Sequence, residues 1–321
     1  GERTMKQRRY SALAVAVIGL LAISPAAAVH ADNTETLDVL LVRVAPEVRE
    51  NLYEDASASR GPNAEAVTPA TVPLTADQPI TTHGEATDVS IWLPGSAAAS
   101  EGTVAGESVR VFDHRNGASS VPLVKDDGSV QILTIIAEAG APEEYSYALG
   151  VPDGASLAVA KDGAVRITGA DDEFIGGVAP AWAVDAKGAA VPTRYEVAGT
   201  TLTQVIDHDG GEFSYPIVAD PWLGQDLYYT PWVSFVLEGY KVNVTPTAWG
   251  VQMSAVLLLW AHRDEVVSKL GLNAWRWTNT IQEQFYCHVA GVPFSLWEYN
   301  MESWRPVVPW PVSLPLYQCN P

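Results

Sequence analysis

Between residues 87 and 220 the apolar positions fall in short, β-branched runs set among polar neighbours. Val109 and Val111 alternate within 108–112, and 129–137 is richer in apolar residues, the pattern of a more buried strand. Leu157 and Val159 lead into Asp162-Gly163, and Val165 and Ile167 return, which predicts a tight hairpin. Tyr195 and Val197, a turn at Ala198-Gly199, then Leu202, Val205 and Ile206 predict a second. Strands at this spacing predict a β-sandwich-like, all-β module over 87–220. There is no βαβ rhythm and no G-x-G-x-x-G, which argues against a dinucleotide fold.

The pattern changes on either side of that module. Leu37, Leu40, Leu41 and Val44 recur at helical spacing, so 32–54 reads as a short helical segment interrupted at Pro46. Residues 55–86 turn to Ala, Thr, Pro, Ser and Gly and read as a flexible linker. Residues 221–321 form a Trp-rich, α+β C-terminal domain, holding nine of the chain's 11 tryptophans. In it Val233, Phe235 and Leu237 alternate, Gly239 turns the chain, and Val242 and Val244 return. A helix is predicted over 255–270, with Val256, Trp260, Val267 and Leu270 on one face and Gly271 ending it. A second begins at Thr280, where Thr280 and Glu283 have capping-box spacing and Ile281, Phe285 and Val289 share a face. The proline-rich last thirty residues read as extended. The fold class is therefore mainly β, with a small α+β domain at the C-terminus.

The N-terminus sets the compartment. Lys6, Arg8 and Arg9 precede an apolar run over 12–23, and small residues lead through Ala26-Ala27-Ala28 to Ala31. A basic head, an apolar middle and a small-residue end make a signal peptide over 1–31, cleaved between Ala28 and Ala31. The protein is expected to be secreted, extracellular or wall-associated, with no transmembrane span after processing. Without residues 1–31 the chain keeps 15 basic against 37 acidic side chains, and such a surface repels phosphate backbones, so nucleic acid is not an expected partner. Cys287 and Cys319 are the only cysteines. In an exported chain such a pair points to one disulfide, closing a loop worth roughly 3–4 kcal/mol. The alternative, a thiolate metal site, lacks C-x-x-C spacing.

Five pieces occur in order toward the C-terminus: Val244-Thr245-Pro246-Thr247, Asp264-Glu265-Val266-Val267, Gln284-Phe285-Tyr286-Cys287-His288, Trp304-Arg305-Pro306 and Cys319-Asn320-Pro321. Together they resemble a family of secreted actinobacterial proteins catalogued as domain of unknown function 2599, over about residues 240–321. That resemblance implies export and a disulfide between the paired cysteines, and supplies no activity. The stretch 177–221, ending in Tyr215-Pro216-Ile217-Val218-Ala219-Asp220-Pro221, is similar to a segment that precedes varied C-terminal domains in such proteins. Leu296-Trp297-Glu298-Tyr299-Asn300 departs from the family's pattern.

Candidate chemistry falls into three groups. His262, Asp264 and Glu265 on the first predicted helix, with Glu283 and His288 on the second, would make an acid/base cluster if the helices converged. Neither H-E-x-x-H nor G-x-S-x-G is present, and solvent-facing acids beside a structural histidine are the plainer reading. Trp275, Trp277, Trp297 and Trp304 are candidate binding platforms for sugar rings or peptide surfaces, against the plainer reading of a tryptophan-built core. Asp207-His208-Asp209-Gly210-Gly211-Glu212 lacks a full calcium-loop pattern and reads, like Asp171-Asp172-Glu173, as a polar turn. No metal or cofactor is expected. The pattern favours a non-enzymatic binding protein whose partner is a cell-envelope component or an extracellular protein or glycan. The alternative is a secreted effector, toxin or hydrolase with its activity in 222–321.

Overall fold

The computed structural model describes residues 39–53, 68–85, 87–96, 102–105, 109–253, 259–291, 298–317 and 319–321. The expected signal peptide lies outside the described residues, as does most of the expected linker's first half. In chain order the strands are β1 (Ile80–His83), β2 (Asp88–Ile91), β3 (Thr103–Ala105), β4 (Val109–Asp113), β5 (Ala118–Val124), β6 (Val130–Ile136), β7 (Glu144–Gly150), β8 (Ser156–Val159), β9 (Val165–Thr168), β10 (Phe174–Val178), β11 (Trp182–Val184), β12 (Thr193–Ala198), β13 (Thr201–Ile206), β14 (Ile217–Asp220), β15 (Trp222–Gly224), β16 (Trp232–Val236), β17 (Gly239–Val244) and β18 (Tyr299–Glu302).

Two antiparallel sheets face one another. The smaller has the order β1-β2-β7-β13-β12. The larger runs β3-β4-β5-β6-β15-β10-β9-β8, with β14 also pairing β6 and β11 pairing β14. Period-two patterning drives this arrangement: along β7, Tyr145, Tyr147 and Leu149 are buried while the residues between them are exposed or half-exposed. They meet Phe112, Ile132, Ile136, Ile167 and Leu223 of the larger sheet in one core. The sheets are also stitched by polar bonds: the hydroxyls of Tyr147 and Thr134 lie 2.7 Å apart, and Tyr195 Oη donates to the Asp220 carbonyl at 2.8 Å.

A short helix over residues 39–44 and a 3-10 turn at Pro46–Arg49 cover the outer face of the larger sheet. Leu40, Leu41, Ala45 and Val48 pack there on Val121, Leu123, Leu133 and Val218. Buried Lys125 fastens this strap, its Nζ donating to the carbonyls of Val48 (2.5 Å) and Glu50 (3.1 Å). Desolvation pulls the Lys125 ammonium down to about 8 against the opposing pull of Asp127 and Asp220.

The C-terminal domain sets the sheet β16-β17-β18 against helices α2 (Ala248–Met253), α3 (Leu259–Lys269), α4 (Asn279–Gly291) and α5 (Trp310–Tyr317), the strap helix being α1. Val242, Val244 and Met301 of the sheet meet Val266, Ile281, Phe285 and Val289 of the helices and Leu270 just past α3. Ala164 and Ala179 of the sandwich belong to the same buried cluster, so the two modules share apolar contact. Trp249 is the hinge of that contact. It is fully buried, stacks on Phe174 at 6.2 Å, and donates from Nε1 to the Trp222 carbonyl (3.1 Å) and from its backbone N–H to Asp127 Oδ2 (3.0 Å). Its indole lies so close to Gly224 that a Cβ there would sit 2.5 Å from Cδ2. Thr247 caps α2, its Oγ1 accepting the Gly250 N–H at 2.8 Å.

Several details depart from the sequence reading. Residues 68–85 are built into the fold instead of serving as a linker: Thr71 pairs with Thr81, and Ile80–His83 is an edge strand. β15 continues the larger sheet past residue 221, because Trp222 and Leu223 pair with Gln131 and Val130. The chain's last segment holds a strand and a helix, not one extended run. Trp260 is exposed and Val267 half-buried; the buried face of α3 carries Ala261, His262 and Val266 instead, because the helix packs on Tyr228 and on α4. Thr280 does not cap α4, since its Oγ1 donates to the carbonyls of Arg305 and Pro306.

Candidate functional site

The candidate acid/base residues do not assemble. His262 is buried on α3, with Nδ1 2.8 Å from the Tyr228 hydroxyl. His288 sits on α4 stacked on Tyr299, ring centroids 4.9 Å apart and 9° from parallel. Phe285 stands between these pairs, 5.5 Å from Tyr228 and 6.4 Å from Tyr299. Desolvation lowers the His288 pKa, which the interaction of its ring N–H with the Asn320 side-chain oxygen partly offsets. The carboxylates are likewise engaged. Glu265 accepts the N–H groups of Leu227 (3.1 Å) and Tyr228 (3.0 Å) and pairs with Lys269 at 2.8 Å. Burial raises the Glu265 pKa against the pull of that lysine, while Glu265 and Asp226 hold Lys269 charged despite its own burial. Asp264 pairs with Arg263 on the surface, and Glu283 accepts the Trp310 N–H at 2.7 Å, where α5 begins. Apart from Asp264, whose partner is its neighbour on α3, each group ties one element of the domain to another.

Cys287 and Cys319, both buried, form a disulfide with Cα atoms 5.3 Å apart. It joins α4 to the C-terminus. Among the described residues no group of three or more His, Cys, Asp or Glu side chains is placed to hold a metal ion. In the 207–212 stretch, buried His208 bonds the Tyr215 hydroxyl (2.9 Å) and the Pro142 carbonyl (3.1 Å), while Glu143 Oε1 accepts the N–H groups of His208 and Asp209. These bonds knit the turn to the residues that lead into β7.

A cleft of about 260 Å³ opens between the modules, walled by Glu85, Glu173 and Phe174 of the sandwich and by Trp260 and Asp264 of α3. It is strongly acidic.

The predicted tryptophans separate. Trp277 is half-buried, edge-on to Phe285 at 5.2 Å, and belongs to the core. Trp304 is half-buried beneath the Lys241 ammonium, 5.6 Å from its ring. Trp297 lies outside the described residues. Trp275 is 69% exposed and anchors an unexpected surface. Behind it the Arg276 guanidinium lies 4.1 Å from the Trp275 ring, 4.8 Å from Phe235 and 5.0 Å from Tyr240. Tyr240 Oη donates to the Arg276 carbonyl at 3.0 Å, which fixes the 3-10 turn Gly271–Arg276 against the β16–β17 hairpin. Each such cation–ring contact contributes about 0.5–1 kcal/mol at an exposed site. Around this stack Phe235, Leu237 and Leu272 stand exposed, the two leucines at 102% and 97%. Soluble proteins rarely cluster large exposed apolar side chains on one part of the surface without a use for them.

Residues 229–321 match the family model described as Protein of unknown function (DUF2599). No curated protein and no solved structure matches the chain. The DUF2599 segment takes in the β16–β17 hairpin, the 3-10 turn, both cysteines and α2 with Trp249, while the seat that receives Trp249 (Phe174, Trp222 and Gly224) lies outside it.

The alternation of Val233, Phe235 and Leu237 does not show which of them reaches water. Val233 reaches the core, but Phe235 lies past the last core residue, beside the turn. The available signal was Leu237 itself: Val236 pairs with Gly239, so Leu237 and Glu238 form the turn, where polar residues are the rule.

Proposed function

We propose that the chain is an exported, non-enzymatic binding protein of the cell envelope or exterior, and that the DUF2599 segment contacts its partner through Trp275, Arg276 and Phe235. The observation that carries this reading is the contiguous stack of Trp275, Arg276 and Phe235, its two rings exposed, held rigid by Tyr240. Rigid aromatic side chains bind at low entropic cost, and Trp, Tyr and Arg dominate binding hot spots. Export is supported by the basic and apolar N-terminus and by the Cys287–Cys319 disulfide. Among the described residues no helix is long and apolar enough to cross a membrane. The effector reading for 222–321 has no comparable observation behind it, because His262, Glu265, Glu283 and His288 each serve a packing or capping contact.

Capture of envelope material from the producing culture on immobilised protein tests the proposal. Wild type is expected to retain a component that Trp275→Ala and Phe235→Ala release at least tenfold more readily, with unchanged circular dichroism. Equal retention by both variants would remove this surface from the function.

A further inference from the structure

Leu237 and Leu272 are not explained by stacking. An exposure near 100% means that each side chain projects freely into solvent, Leu237 from the turn of the β16–β17 hairpin and Leu272 from the neighbouring 3-10 turn. A sugar ring gains little from an aliphatic leucine, and one face of Trp275 is already occupied by Arg276. A rigid protein partner would need a hollow shaped to the tip, whereas a fluid bilayer needs none. Aromatic residues settle at the headgroup level, and aliphatic side chains beyond them reach the acyl boundary.

Charge narrows the partner. The chain carries a net −19, so a second copy and an anionic membrane are both repelled. A zwitterionic lipid surface has no net charge to oppose that field, and its phosphate oxygens match the Arg276 guanidinium in the centre of the patch.

Building on the binding role proposed above, we propose that the tip of the β16–β17 hairpin and the neighbouring 3-10 turn insert into the interface of a zwitterionic phospholipid bilayer. Leu237 and Leu272 enter the acyl boundary, Phe235 and Trp275 lie at the headgroup level, and Arg276 meets phosphate. Burying either leucine is worth roughly tenfold to a hundredfold in partitioning.

The test is flotation of residues 32–321, which keep every described residue and lack the apolar N-terminal run, with phosphatidylcholine vesicles. Wild type is expected to float. Leu237→Ser and Leu272→Ser are each expected to lower partitioning about tenfold or more. Val159→Ser, at an exposed apolar position on β8, is expected to change nothing. Replacing part of the lipid by phosphatidylglycerol is expected to weaken binding at low salt, with the difference fading as salt screens it. Absence of flotation with phosphatidylcholine, or wild-type partitioning by both serine variants, would overturn the proposal. If vesicles fail while Trp275→Ala and Phe235→Ala still release envelope material, the bilayer is the wrong partner and the binding role stands. If those variants also retain everything, both readings fall.

Discussion

Replacing Trp249 by alanine tests how the two modules are joined. The indole is fully buried, stacked on Phe174 and pressed onto Gly224, so its removal empties a volume that the rigid sheet β10-β15 cannot refill. Truncating a buried aromatic side chain costs about 3–5 kcal/mol. The Trp222 carbonyl also loses the Nε1–H donor at 3.1 Å and keeps the Ala179 N–H at 3.0 Å, a lost hydrogen bond worth about 0.5–1.5 kcal/mol. The two losses overlap, giving about 4–6 kcal/mol, a large share of an ordinary domain's stability. Trp249→Phe keeps most of the ring and loses the hydrogen bond, so it is expected to cost about 1–3 kcal/mol. Urea unfolding followed by circular dichroism supplies the magnitudes, with limited proteolysis alongside. Wild type should unfold in one transition. Trp249→Ala should show two, the earlier one accompanied by cleavage between the sandwich and α3. A single transition displaced by less than about 1 kcal/mol would refute the reasoning, because the indole would then not hold the modules together.

The remaining predictions concern buried charge and the cross-link. Burial holds the His114 imidazole down to about 4, while its Nε2 lies 2.9 Å from Ser120 Oγ. The unfolded chain binds the proton more readily, so this contribution is complete above about 6.5 and is lost as pH falls through about 4, worth at most ~3 kcal/mol; His114→Gln should flatten the urea midpoint over that window. Asp220 has the opposite sign. Burial raises its carboxyl to about 7, so the folded state keeps a proton that the unfolded state releases, and its stabilisation fades as pH rises from about 4 through about 7. Asp220→Asn should therefore gain on wild type toward neutral pH in the same titration, and an unchanged slope would contradict the burial argument. Cys319→Ser opens the loop to Cys287 and is expected to cost roughly 3–4 kcal/mol, read as a lower urea midpoint of the unfolding transition.

Local pattern made much of the fold legible. The hairpins at 157–167 and 195–206 occur where alternation and turn residues place them, with Val159 facing Val165 and Ala198 facing Thr201. The buried stripe of Ile281, Phe285 and Val289 and the Cys287–Cys319 bond were equally readable. Long-range packing was not. Nothing local shows that Ile80–His83 would be drawn from an Ala/Thr/Pro-rich stretch into pairing with β2, or that Trp249 would find its seat in the sandwich. The candidate site was half legible for the same reason. A count of tryptophans singled out Trp275, but whether an indole is platform or core depends on its neighbours: Arg276 and Phe235 leave Trp275 in water, while Phe285 takes Trp277 into the core. The histidines fail to meet because Tyr228, Phe285 and Tyr299 fill the space between them, a matter of three elements packing together.

The most direct measurement is hydrogen exchange of the protein with and without envelope material from its own culture. Slowed exchange confined to residues 232–240 and 271–277 is the result the account predicts. Slowed exchange centred instead on the acidic cleft, at residues 84–87, 173–175 and 260–268, or none anywhere, would contradict it.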